Sequence, residues 1–210
     1  MNSRSVSDST FKFRVQALAC FIQGAALRLN SKRSLGSSAQ ETIHSAWIAW
    51  VFTTGIAAAI VALIVVAPLA EAHAHSQFAS SIYKAFSFIC HQLPDRSFHL
   101  AGHQFAVCSR CTGLYSGFAV AALLYPLARS MKRTDAPRRI WLILAAALLA
   151  IDFALGYFAI WPNTHFSRFT TGALLGSVAV FYIMPGLIEL SSALTRRLLR
   201  KRTLLSPPSV

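Results

Sequence analysis

The chain has 210 residues, 55% of them hydrophobic, and a formal net charge of +13. That hydrophobic share exceeds the roughly 45–50% of soluble proteins, and it comes in blocks without the polar stripes a soluble helical bundle needs. The basic excess lacks the aromatic or glycine pattern of a nucleic-acid binder, so no nucleic-acid partner is expected.

Residues 1–45 form a cytoplasmic segment in this reading. Within it, Phe11–Leu27 carries Phe11, Leu18, Phe21, Ile22 and Ala25 at near-helical spacing between basic residues, which suits an amphipathic helix on the membrane surface. Cys20 reads there as a small apolar side chain, and serine-rich 31–39 as a linker. The first span is 46–70, which carries no charge. It starts too late and runs too long for a signal-peptide core, and Ala70-Glu71-Ala72 resembles a cleavage site only superficially.

A loop follows at 71–104. Ser80–Ile89 is expected to form a short helix resting on the membrane, and Pro94-Asp95 a turn. The second span is 105–128, with Arg110 its only charge. After a short basic loop the third, 140–160, contains only Asp152. The fourth, 169–194, contains only Glu189, and a basic tail occupies 195–210. Each block reaches the roughly 20 residues needed to cross a bilayer. The fold class is therefore all-α: a polytopic, four-transmembrane-helix bundle with an amphipathic N-terminal segment.

The charges set the orientation. Six basic residues precede the first span, five lie between the second and third, and five follow the fourth. The other two loops hold only Lys84 and Arg96, and Arg168. This alternation puts both termini in the cytoplasm of a plasma (inner) membrane, with attraction to anionic lipids reinforcing it.

The chemistry concentrates at the entrance to the second span. Cys90, Cys108 and Cys111 fall on the outer side, where disulfides are permitted. Cys108 and Cys111 share a helix face at a positively polarised N-terminus, beside Arg110, which favours thiolate. Three thiolates and one imidazole make a closed tetrahedral zinc site, so Cys90, Cys108 and Cys111 are candidate ligands, with His91, His99 or His103 as the fourth. The same residues suit a membrane thiol–disulfide oxidoreductase with Cys108 and Cys111 as the dithiol and Cys90 as partner. They also suit a structural disulfide from Cys90 to one of the pair. Thr112 after Cys111 argues against a c-type haem.

Arg110, Tyr115, Asp152 and Arg168 lie at a similar depth and are the candidate catalytic groups, because an ionisable residue inside a span marks a functional site with a partner. An Asp152–Arg or Asp152–Tyr contact that merely holds helices together is the structural alternative. Gly113-x-x-x-Gly117 and Gly172-x-x-x-Gly176 let helix backbones approach closely in lipid. If the two motifs pack, Arg168 comes beside the cysteine pair.

These residues carry a resemblance. Cys90-His91-Gln92-x-Pro94-x-Arg96-Ser97-Phe98, then Gln104, then Cys108-x-Arg110-Cys111-Thr112-Gly113-x-Tyr115-x-Gly117 resembles the hallmark of a family of predicted prokaryotic membrane proteins, domain of unknown function 2085. The likeness spans about residues 75–190, and Asp152 with Arg168-x-x-Thr171-Gly172 looks like its second half. Where the family pattern has Asp-Gly, this chain has Asp152-Phe153. The resemblance implies a multi-pass membrane protein of unassigned activity whose cluster works as one site.

The expectation is thus a bundle embedded in the bilayer, with an outer-face Cys/His metal site, zinc the expected ion, beside Arg110, Asp152 and Arg168. A lipid headgroup or small anionic ligand is the expected partner. Whether the site is catalytic is left open by the sequence.

Overall fold

The computed structural model describes residues 43–205, apart from Lys132, Thr134 and Trp161, with side chains to Leu198. The expected surface helix at Phe11–Leu27 and Cys20 lie outside the described residues. Among the described residues, four helices are long and apolar enough to cross a membrane: α1, Ile43–Ala72, then three more after a short helix α2, Ser76–Ser87. These are α3, Ser109–Ala128, α4, Ile140–Tyr157, and α5, His165–Leu205.

The helix ends explain where the boundaries differ from the apolar blocks. At the end of α1, Ala74 adopts a left-handed φ of 61°. His75 donates its N–H to the Ala70 carbonyl at 2.9 Å and Ala74 donates to Glu71 at 3.1 Å, the paired bonds of a Schellman stop. Helix α4 stops at Tyr157 rather than 160 by the same device, with Ala159 at φ 53° and Ile160 N–H bonded to the Leu155 carbonyl at 3.0 Å. Helix α5 starts at His165, earlier than 169, because the Thr164 hydroxyl caps it by accepting the Ser167 N–H at 3.1 Å.

The second span begins at Ser109, not 105, because residues 105–108 are engaged elsewhere. Phe105 N–H bonds the Phe98 carbonyl at 2.7 Å, continuing a two-stranded hairpin of β1, His99–Leu100, and β2, His103–Gln104. Its two-residue turn, Ala101-Gly102, has φ of 51° and 82°, the positive pair of a type I′ hairpin. Ala106 N–H reaches the Ile64 carbonyl of α1 at 3.5 Å. That carbonyl has no helical donor, since the residue four positions on is Pro68.

Helices α3 and α5 approach each other closely at four glycines. A Cβ on Gly113 would lie 2.0 Å from the Phe169 carbonyl oxygen, and one on Gly117 would lie 2.2 Å from that of Ala173. Reciprocally, Gly172 faces the Arg110 carbonyl at 2.2 Å and Gly176 that of Leu114 at 2.1 Å. Both helices advance four residues in the same direction, so they are parallel and in register, and only glycine permits this separation. Helix α4 packs on α5 with Ala145 its only buried apolar residue.

Two apolar clusters occupy opposite ends. One joins Ala46 and Ala49 of α1, Ala122 and Tyr125 of α3, and Val180, Met184 and Ile188 of α5. The other joins Ile64 and Ala67 of α1, Ile82 and Phe86 of α2, Ala106 and Val107, and includes Cys90.

Candidate functional site

Cys90 follows α2, an amphipathic helix of about three turns that buries Ala79, Ile82 and Phe86, the last two in one cluster with Ile64 and Ala67 of α1. Its own N–H bonds the Phe86 carbonyl at 2.9 Å, so the cysteine is an extension of that helix's buried side. Gln92 then turns the chain with φ 49°. Its side-chain amide donates to the Tyr83 carbonyl at 2.7 Å and the Ala106 carbonyl at 2.8 Å. One side chain thus ties the segment after Cys90 to the segment before Cys108.

The result is that Cys90, Cys108 and Cys111 place their sulfurs within 4.8 Å of one another, and all three are free thiols. The Cys108 backbone N–H donates to the Cys90 sulfur at 3.2 Å. Hydrogen bonding from the Cys111 thiol, and secondarily from Cys90, lowers the Cys108 thiol from its ordinary titration range. Tetrahedral zinc with Zn–S near 2.3 Å needs sulfurs about 3.8 Å apart, so no pair of the trio has to close by more than about an ångström to meet that geometry.

The histidines are placed differently. Among the described residues no histidine joins the sulfur group. His91 is exposed but lines the cavity on which Cys90, Cys108 and Cys111 open. His99 and His103 sit on the two hairpin strands, and His103 lines a second cavity with Glu71, Tyr83 and Gln104.

The first cavity encloses about 500 Å³ between the loop, the start of α3, the end of α4 and the start of α5. Arg96, Arg110 and Arg168 all border it. Arg110 donates to the Asp152 carboxylate as an ion pair, with its guanidinium carbon 5.5 Å from the Phe153 ring centre, within cation–π range. Asp152 lies five residues before the end of α4, roughly 8 Å along the helix axis. Thr171 of α5 also donates to that carboxylate, at 3.5 Å. Tyr115 packs instead on the apolar cluster around Ile64 and does not line this cavity.

Asn163, Ser109 and His165 are polar groups here that none of the quoted motif positions marks. Asn163 donates its amide to the Asp152 backbone carbonyl and fills the space beside Gly156. Ser109, fully buried, shares a 2.9 Å hydrogen bond with His165 Nδ1. Phe98 packs on His165 and Phe169, with ring centres 5.7 and 5.9 Å away. The sequence signal for Asn163 and His165 is their place beside Pro162 and the Thr164 cap.

The comparisons with other proteins centre on this same stretch. The model of a family of predicted membrane proteins, DUF2085, matches residues 90–182. An uncharacterized protein of Methanocaldococcus jannaschii is 37% identical over 109 residues, which cover 52% of this chain and 70% of the relative. The chain belongs to the DUF2085 family. A second relative, an uncharacterized protein of Methanothermobacter thermautotrophicus, is 37% identical over 94 residues, 43% of this chain and 80% of its own. No solved structure is significantly similar to the chain. The DUF2085 match opens on Cys90 and closes within α5, so it contains the three cysteines, the arginines and Asp152, and leaves α1 outside.

Proposed function

We propose that this DUF2085 member is a metal-binding protein of the plasma membrane, holding zinc through Cys90, Cys108 and Cys111 at the outer mouth of α3. The observation that carries the reading is the convergence of three sulfurs from two segments 18 residues apart in sequence. Thiolate-rich sets favour zinc among the common divalent ions, and the N–H of Cys108 on Cys90 is the type of outer contact that orients a thiolate ligand. The fourth position faces the cavity, where His91 is the histidine in reach of a rearranged loop. With that position open, the metal would accept an external ligand. Arg96, Arg110 and Arg168 favour a lipid headgroup or small anion as that partner.

The alternation of basic loops supports the outer placement and cytoplasmic termini. A membrane-impermeant thiol reagent on metal-stripped, reduced cells should label Cys90, Cys108 or Cys111 and spare Cys20. The reverse pattern would invert the topology.

Elemental analysis of the purified protein tests the metal. One zinc per chain, lost on Cys108→Ser, supports the reading. Absence of metal, with a Cys108–Cys111 disulfide that cycles under reductant and quinone, would support thiol–disulfide exchange instead.

A further inference from the structure

The cavity carries more positive charge than its neighbours cancel. Three guanidiniums border it, and Asp152, engaged by Arg110, is the acidic side chain paired there. Arg168 is within electrostatic reach of Arg96 and Arg110 as well as of Asp152. The Nε atoms of Arg110 and Arg168 are both buried and without a hydrogen-bond partner. Buried donors of a charged group are costly to leave unmatched, and like charges gathered near a bilayer mark a ligand site. With Arg110 engaged by Asp152, Arg168 and Arg96 are the two guanidiniums left to meet an anion with several acceptor oxygens.

The rest of the wall is apolar. Ile89, Leu93, Phe153 and Tyr157 line the same cavity, and all four are exposed, Tyr157 at 74%. A bare oxyanion fills a small part of about 500 Å³; ligand sites of this size enclose an organic body with a few polar anchors. We propose that the cavity binds a phosphate ester, with Arg168 and Arg96 on the phosphate oxygens and the organic part against Phe153 and Tyr157. Arg110 is held by Asp152 and shapes the floor. A phosphate monoester matches this set better than a carboxylate, because it carries up to two charges and three acceptor oxygens, and a diester keeps one charge and two oxygens for the same guanidinium forks. The proposal rests on reading the cavity as an anion site and is independent of the metal.

The test uses the full chain in a neutral detergent. Native mass spectrometry follows phosphatidylglycerol against phosphatidylcholine, while equilibrium dialysis follows inorganic phosphate and, separately, succinate. The expected result is phosphate-group binding weakened on the order of tenfold or more by Arg168→Gln and by Arg96→Gln, given the strength of charged hydrogen bonds. Arg168→Lys, which keeps charge and loses the fork, should fall between them and the wild type. Arg96 sits on an exposed turn, so its variant reads binding even if Arg168→Gln unfolds. Preference for phosphatidylglycerol without inorganic phosphate binding assigns a lipid-borne ester. Inorganic phosphate binding without lipid preference assigns a soluble one.

Succinate binding that exceeds phosphate binding would overturn the phosphate assignment while leaving an anion site. No anion binding, or binding untouched by both glutamine variants, would overturn the site altogether. Zinc content measured on the same samples separates either failure from failure of the metal reading, since the arginine variants should keep their metal.

Discussion

Trp50 of α1 donates its indole N–H to the carbonyl of Ala122 in α3 at 2.7 Å. This is the carbonyl that Pro126, four residues on, leaves without a helical donor. In a membrane such an acceptor must be matched by a neighbouring element, and the tryptophan does so across the helix interface. Trp50→Phe should therefore lower stability by about 1 kcal/mol, the range measured for interhelical hydrogen bonds in lipid. The cost should shrink in a Pro126→Ala background, where residue 126 supplies its own N–H. Thermal unfolding in detergent of the four proteins of this cycle checks it; equal costs in both backgrounds would refute the pairing.

The glycine contacts between α3 and α5 predict a sharp contrast among alanine substitutions. Gly117→Ala would drive a Cβ to 2.2 Å from the Ala173 carbonyl oxygen and 2.7 Å from its Cα. Backbone cannot give way without parting the helices, so a loss of about 1–3 kcal/mol is expected. Gly186→Ala meets nothing within 4 Å and should be neutral or gain up to about 1 kcal/mol from helix propensity. Melting temperatures of the two variants, measured side by side, decide this.

Asp152 and Arg110 form a mostly buried pair, their side chains 11% and 21% exposed. Removing only the carboxylate, as in Asp152→Asn, leaves a guanidinium uncompensated and should cost roughly 3 kcal/mol. Replacing both by leucine should recover much of that loss. If Asp152→Asn and the double variant melt together, the pair is not the element that matters there.

Metal and thiols give the fourth prediction. Cys90→Ser, Cys108→Ser and Cys111→Ser should each abolish stoichiometric zinc, whereas Cys20→Ser should retain it. Stripping wild-type protein with a chelator should lower its melting temperature, because a ligand bound only to the folded state stabilises it. Elemental analysis and thermal scans with and without chelator provide both readouts. Zinc that persists in the Cys90→Ser, Cys108→Ser or Cys111→Ser variant would remove that residue from the ligand set.

The four spans were readable because lipid imposes a length and forbids charge, and the glycine pairs because close backbone approach leaves no substitute. The ends of α1 and α4 were not, since Ala74 and Ala159 occupy left-handed positions that glycine usually marks. The hairpin was hidden for the same reason: Ala101 takes the first turn position, where asparagine or aspartate is the common signal. Cys90 could be suspected of joining Cys108, but the joint itself is Gln92, whose two amide bonds have no periodic trace. Asp152 was legible as a partner for arginine. Its further contacts, Thr171 and Asn163, are ordinary polar residues until the α4–α5 turn brings them over.

Ala106 reaches back to Ile64 at 3.5 Å, two residues ahead of Cys108. The acceptor exists only because Pro68 interrupts the first transmembrane helix. A segment outside the DUF2085 match thus helps seat one of its cysteines. A truncated chain beginning at Cys90 would keep every cysteine, arginine and aspartate of the pocket and still lose the anchor that sets their spacing.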